Sequence, residues 1–234
     1  MKKIKVILID DERLAREELR RVIACYADLE VIAEAQNAVE AAQLIKKYQP
    51  DLIFLDIQMP EKTGFDLLEM LDNVPEVIFV TAFDQYAVKA FEADALDYLV
   101  KPVRDERFVK VIEKMRNRLN TKISPVEKQL FVKDGNKCHL IRLSDIFLIE
   151  SMDNYARLYF NDKTTYLKRS LNQLETTLDA ETFFRINRSQ IVNINYIQHI
   201  HHLPKGKLSI TLKTGLLLEV SDRQSVKFKT LNGL

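Results

Sequence analysis

Over residues 1–120, apolar positions fall into short runs at 4–9, 52–55, 77–80 and 96–100. Between them, at about 12–26, 39–48, 64–71, 85–91 and 105–119, apolar residues recur at helical spacing. Short runs rich in Val, Ile and Leu fit strands buried on both faces, and the alternation with helices makes a five-fold βα repeat. This predicts an α/β fold around a five-stranded parallel sheet of the flavodoxin-like order.

Beyond residue 120 the period changes to two. Short alternating runs follow one another: LFVKD, CHLIRL, IFLIES, ARLYF, TTYLKR, YIQHIHHL, KLSITL and LLLEVS. Asp134-Gly135, Asn161-Asp162, Lys205-Gly206 and Thr214-Gly215 supply turns between them. Helical spacing survives only at 171–178 and from residue 221, so the second half is mostly β. The segment LNTKISPVEK, with its polar residues and Pro125, breaks the periodicity between the halves. We expect one domain over 1–121, a linker over 122–128 and a second domain over 129–234.

The carboxyl ends of the first-half strands carry the chemistry. Asp10-Asp11 follows the first run, Asp56 the second, Thr81 the third and Lys101-Pro102 the fourth. Taken singly, each has a bland explanation. An Asp pair after a strand caps a helix or makes a turn, Lys-Pro ends a strand, and Thr is a common strand residue. Taken together they occupy four strand ends in order, and in an open parallel sheet those ends share one crevice. Three carboxylates crowded there stay ionised together only around a cation, and oxygen donors without His or Cys suit Mg²⁺. Asp56 could then act as a nucleophile toward a phosphoryl group, with Lys101 and the Thr81 hydroxyl meeting the phosphoryl oxygens.

Through VILIDDE, LIFLDIQMPEKTG, VIFVTAF and DYLVKP, residues 1 to about 120 resemble the receiver domain of bacterial two-component response regulators. The resemblance implies that Asp56 is the phosphoacceptor and that Asp10 and Asp11 bind the metal together with Asp56 and the Gln58 carbonyl. It also implies that Thr81 and Tyr98 form a switch pair, with Tyr98 turning inward on phosphorylation. Lys101 becomes the phosphate contact, preceding a cis peptide at Pro102. A sensor histidine kinase would be the phosphodonor, and the phosphorylated chain would pair through the face at 87–108.

Charge separates the two halves further. The net +1 of the chain divides into 18 Lys and Arg against 23 Asp and Glu over 1–120, and 17 against 11 over 121–234. A basic partner on a phosphate switch points to double-stranded DNA, yet no helix-turn-helix pattern is visible. Bases would then be read by side chains at loops and strand ends: Asn154, Tyr155, Lys168, Arg169, the Asn187-Arg188-Ser189 stretch and Arg223. A basic surface alone is often only a solvated one. The histidines 199, 201 and 202 alternate along a probable strand without Cys or carboxylate nearby, which argues against a metal site.

Residues from about 128 to 234 resemble the LytTR output domain through IESMDNYARLYF, SLNQLETTL, FFRINRSQIVNINYI and LLLEVSDRQ. That resemblance implies a ten-stranded β fold whose loops enter successive major grooves. Arg188 and Arg223 match base-contacting positions, and the stretch from Asn154 to Arg157 matches more loosely. Asn187 departs from the His common in the family. The whole chain is similar to LytR/AlgR-type response regulators, which implies regulation of promoters rather than an enzyme. A phosphohydrolase would carry an Asp-x-Asp spacing on its first strand, and Asp10-Asp11 lacks it. An output that binds protein or RNA is the alternative. Cys25 and Cys138 form no disulfide framework, and no stretch approaches the roughly 18 apolar residues of a membrane span, so we expect a cytoplasmic chain.

Overall fold

The four apolar runs and one further segment form five parallel strands: β1 (Ile4–Ile9), β2 (Leu29–Ala35), β3 (Leu52–Leu55), β4 (Glu76–Thr81) and β5 (Asp97–Val100), in the order β2-β1-β3-β4-β5. These elements belong to a computed structural model that describes residues 3–82, 97–120, 128–134 and 137–232. The chain divides into two compact units, 1–143 and 144–234.

In the first unit both sheet faces are covered, which is why its strands read as continuous apolar runs rather than alternations. Ile7, Ile9, Ile53, Leu55, Val77 and Phe79 pack with α2 (Ala38–Tyr48) and α3 (Gly64–Met70). Val6, Leu8, Leu52, Phe54, Ile78 and Val80 pack with α1 (Arg13–Ile23) and α4 (Asp105–Asn120). Strand β2 was not located from sequence. It is an edge strand whose LEVIAEA run is interrupted by Glu30 and Glu34, and much of its length is only half-buried. The expected helix at 85–91, residues 87–96 of the expected pairing face, most of the expected linker and Gly135 of one expected turn lie outside the described residues.

Among the described residues ten strands follow residue 128, the number the second resemblance implied. The first two, β6 (Gln129–Asp134) and β7 (Lys137–Arg142), form a separate hairpin. Although expected to open the second domain, this hairpin packs within the first unit. Phe131, Cys138 and Leu140 join the α2/α3 core, and the Phe131 ring stacks on Phe65 at 6.2 Å. The Val74 N–H donates to the Gln129 carbonyl at 3.0 Å.

The second unit places a five-stranded antiparallel sheet, β10-β9-β8-β12-β11, with a three-stranded one, β13-β14-β15. The larger comprises β8 (Ile146–Met152), β9 (Tyr155–Phe160), β10 (Lys163–Leu167), β11 (Phe183–Arg185) and β12 (Gln190–Asn193). The smaller comprises β13 (Ile197–His202), β14 (Leu208–Leu212) and β15 (Leu217–Val220). Leu148, Phe184, Val192, Leu208, Ile210 and Phe228 fill the core they share with the last helix. Helix α5 (Leu171–Thr177) opens with a Ser170/Gln173 capping box, and α6 (Asp222–Asn232) ends the described chain. The positive φ of Asn161, of Lys205 and Gly206, and of Gly215 bears out three of the expected turns.

Because the Phe131 ring is 4% exposed, Phe131→Ala should lower stability by about 3–5 kcal/mol. It should do so in the transition that also unfolds the parallel sheet. Urea unfolding followed by a probe in each half checks this. A loss confined to the second unit's transition would show that the hairpin does not rest on the parallel-sheet unit in solution.

Candidate functional site

Backbone pairing brings the predicted strand ends together. The Asp10 N–H donates to the Ala35 carbonyl at 3.1 Å, that of Asp56 to Ile9 at 2.8 Å, and that of Lys101 to Thr81 at 2.9 Å. One carboxylate oxygen from each of Asp10, Asp11 and Asp56 therefore falls within 4.8 Å of the other two, with Asp10 and Asp56 buried and Asp11 exposed. The Lys101 ammonium reaches into this group, 2.7 Å from Asp10 Oδ2 and 2.8 Å from Asp56 Oδ2. Thr81 is wholly buried, and its hydroxyl has no hydrogen-bond partner among the described residues. The peptide before Pro102 is cis, as the resemblance implied.

Burial pushes the Asp10 carboxyl above its usual range, and the Lys101 contacts and the Glu12 N–H only partly offset this. Burial pulls the other way on Lys101, but its pairing with Asp10 and Asp56 outweighs it and raises the ammonium's pKa. The Gln58 N–H donates to Asp56 Oδ1 at 3.2 Å, which turns the chain directly after the buried aspartate.

Gly64 is a site residue whose role was not read from sequence. A Cβ on it would lie 2.4 Å from the Asp56 carbonyl oxygen and 3.2 Å from the Ile57 Cα, both backbone atoms. Only glycine lets α3 start directly behind Asp56, where the Thr63/Asp66 capping box fixes its first turn. The KTG triplet within LIFLDIQMPEKTG was the available signal.

Tyr98 differs from its expected starting position. It is 6% exposed and belongs to the α2/α3 core. The ring is already inside, so an inward turn has no outward ring to begin from in this conformation.

In the second unit the predicted contact residues divide. Asn154, Tyr155, Lys168, Arg188 and Arg223 are exposed. They gather at one end of the unit because the strands put them there. Leu167 pairs with Ala156, so Lys168 leaves β10 beside Tyr155. The Ser151 N–H donates to the Ser189 carbonyl at 2.8 Å, bringing the loop of Arg188 to the β8–β9 turn. The Ser221 N–H donates to the Ile186 carbonyl at 2.9 Å, which brings in the start of α6 with Arg223. Arg157 and Arg169 are instead half-buried. The Arg157 guanidinium lies 4.9 Å from the Tyr159 ring centre and 5.8 Å from that of Tyr166, so it is spent on the sheet. Residue type alone does not separate these arginines from exposed ones: Arg157 lies between Ala156 and Leu158, and Arg169 between Lys168 and Ser170.

A parallel sheet with this acidic pocket, followed by a basic β unit presenting loops, defines a phosphorylation-type receiver with a nucleic-acid-binding output. The model of the response regulator receiver domain matches residues 6–113, and that of the LytTr DNA-binding domain matches 136–233. The chain belongs to the LytR/AlgR family of two-component response regulators, and is a transcriptional regulator of that kind. It is 34% identical to the transcriptional regulatory protein BtsR of Salmonella typhi, over 99% of this chain and 100% of that one. It is 32% identical to the sensory transduction protein LytT of Enterococcus faecalis, over 98% and 99%. Among solved structures, the response regulatory domain of mrkE from Klebsiella pneumoniae is 30% identical, covering 51% of this chain and 100% of that one at a TM-score of 0.47. Among the described residues no helix is long and apolar enough to cross a membrane.

Since Asp10 is held above its ordinary pKa, its ionised form costs folded stability at neutral pH. The cost disappears as pH falls through the raised folded value toward the unfolded 3.8. Asp10→Asn should therefore raise the thermal midpoint at neutral pH in chelator, and the gain over wild type should shrink on acidification. Thermal melts at stepped pH check it; an equal or lower midpoint at neutral pH would contradict the burial cost.

Proposed function

We propose that a sensor histidine kinase phosphorylates Asp56 and that the phosphorylated chain binds promoter DNA through the loop end of its second unit. The observation that carries the first half is Lys101 pinned between Asp10 and Asp56, 2.7 and 2.8 Å from their carboxylate oxygens. Its ammonium would meet the oxygens of a phosphoryl group on Asp56, and Thr81, whose carbonyl accepts from the Lys101 N–H and whose hydroxyl has no partner among the described residues, would offer a further donor. An Asp56 carboxylate oxygen attacks phosphorus, the P–N bond of the phosphohistidine breaks, and its electron pair returns to the imidazole nitrogen. Lys101 then exchanges its carboxylate partners for phosphoryl oxygens, and Thr81 gains an acceptor.

Asp10, Asp11 and Asp56 fit a hard divalent cation, because their oxygens converge and none is a soft ligand. They would hold Mg²⁺ together with the Gln58 carbonyl, and the ion would supply positive charge against the phosphoryl oxygens. The exposed Asp11 leaves that position open to solvent. The phosphorylated chains would pair as dimers, and the reading places the protein in the cytoplasm.

Asp56→Asn, nearly isosteric, should abolish hydroxylamine-sensitive labelling by acetyl phosphate while leaving the far-UV spectrum unchanged. Labelling that persists on the mutant would move the phosphoacceptor elsewhere. Asp11→Ala should raise the Mg²⁺ concentration needed for half-maximal labelling.

For the output, Arg188 and Arg223 are exposed guanidinium groups on a loop and on the helix start bonded to it, and such groups read guanine bidentately. Replacing either with Ala should cost roughly 1–3 kcal/mol and relax preference at one base pair. Lys168→Ala should weaken all sequences alike and flatten the salt dependence. Titrations on a duplex selected by the wild-type chain and on a scrambled one, at two salt concentrations, measure both effects. Binding of RNA or protein in preference to duplex DNA, with all three mutants unchanged on DNA, would overturn this assignment.

A further inference from the structure

Asn187 lies on the loop that carries Arg188, which is bonded to the segment leading into α6 and Arg223, and its side chain is fully engaged within the protein. Its Oδ1 accepts from the Ser189 N–H at 2.9 Å and from the Ser189 hydroxyl at 3.0 Å. Its Nδ2 donates to Gln190 Oε1 at 2.8 Å and to the Glu219 carbonyl at 3.2 Å. A carboxamide has two donor hydrogens and two acceptor lone pairs, so all four are used. No polar atom of this side chain is left to meet a base edge.

What those bonds join is more informative than their number. Two of them close the loop of Arg188 on itself, and the bond to Glu219 ties that loop to β15, just before the α6 turn that bears Arg223. The Ser221 N–H to Ile186 carbonyl bond runs alongside at 2.9 Å, so two bonds hold the two loops together. The opposite flank is held by Arg185, which donates to the Asn187 carbonyl at 3.2 Å and to the Arg188 carbonyl at 2.8 Å. Arg185 is fixed in turn by Asn172 Oδ1 at 2.6 Å and Glu175 Oε2 at 2.8 Å. Below the loop, Gln190 donates to Glu150 Oε1 at 2.8 Å. The backbone around Arg188 is therefore fixed while its side chain projects into solvent.

We propose that Asn187 is a positioning residue for DNA recognition, setting the separation and aim of Arg188 relative to Arg223 without itself touching a base. The inference rests on the proposed reading of bases by those two arginines. A bidentate contact needs its guanidinium placed within a fraction of an ångström, and a loop fixed beforehand avoids the ordering cost of binding.

The test is a double-mutant cycle on the full chain, with binding measured on a duplex selected by the wild-type chain and on single-base-pair variants of it. Asn187→Ala should weaken binding about tenfold on the selected duplex. It should relax preference at the same base pair as Arg188→Ala and leave the salt slope and thermal midpoint unchanged. The double mutant should bind no more weakly than Arg188→Ala alone, because Asn187 acts through Arg188. Additive losses, or a loss equal on all sequences, would overturn the proposal. So would wild-type binding by Asn187→Ala where Arg188→Ala is impaired. If Arg188→Ala itself binds like wild type, the base-reading assignment fails and takes the proposal with it, a result distinct from the other two. Should Asn187→Ala lower the thermal midpoint, Gln190→Ala removes one of the same bonds, and its loss should likewise vanish in the Arg188→Ala background; persistence there would overturn the proposal.

Discussion

Three carboxylates, from Asp10, Asp11 and Asp56, share one crevice because a parallel sheet brings its strand ends to the same edge, and they are held there against their own repulsion. Two unit charges about 4 Å apart at a protein surface interact by about 4 kcal/mol, a large share of a domain's total stability. Lys101 is what makes the arrangement tolerable, since its ammonium sits 2.7 and 2.8 Å from the two buried partners. Burial adds a cost that Lys101 offsets only in part, and it raises the Asp10 pKa. Much of the first unit can be understood as support for this uneven cluster. The buried Thr81, the glycine behind Asp56 and the cores on both faces each keep a strand end from retreating.

The second unit solves a different problem with a network of hydrogen-bonded side chains. Its exposed arginines gain nothing from burial, so precision comes from the backbone beneath them. Glu150 illustrates the method. It accepts from Gln190 on one oxygen and from the Tyr159 hydroxyl on the other, and burial together with that bond pushes the Tyr159 pKa up to about 12. The hydroxyl therefore stays protonated and remains a donor throughout the physiological range. A network in which every member is satisfied rigidifies its surroundings, whereas one left partly unpaired would be costly.

How much of this was legible depended on whether the signal was local. The four strand ends of the acidic pocket could be read because each follows an apolar run, and their convergence follows from the parallel topology alone. Strand β2 escaped because an edge strand with Glu30 and Glu34 lacks the continuous apolar character of its neighbours. In the second half, FFRINRSQIVN reads as a polar contact segment, and its arginines and Asn187 hid the short strands β11 and β12 on either side of the loop. Arg157 and Arg169 look as available as Arg188 in sequence, and only their partial burial, with the tyrosine rings beside Arg157, shows the difference. The buried position of Tyr98 was equally invisible, since a tyrosine on a strand fits either face.

The packing of the β6–β7 hairpin was the least predictable feature, because it depends on contacts between segments far apart in the chain. Its physical logic is nevertheless continuous with that of the pocket. Gly64 lets α3 begin against the Asp56 carbonyl, and the next residue, Phe65, packs on Phe79 at 5.1 Å and on Phe131 at 6.2 Å. The first turn of one short helix thus meets the backbone of the acidic pocket at its start and the hairpin through its first aromatic ring. The accompanying Lys133–Glu69 pair, 3.8 Å apart and half-exposed, adds little to this. The aromatic contact is what joins them, and a close-packed core transmits displacement where a solvated ion pair does not.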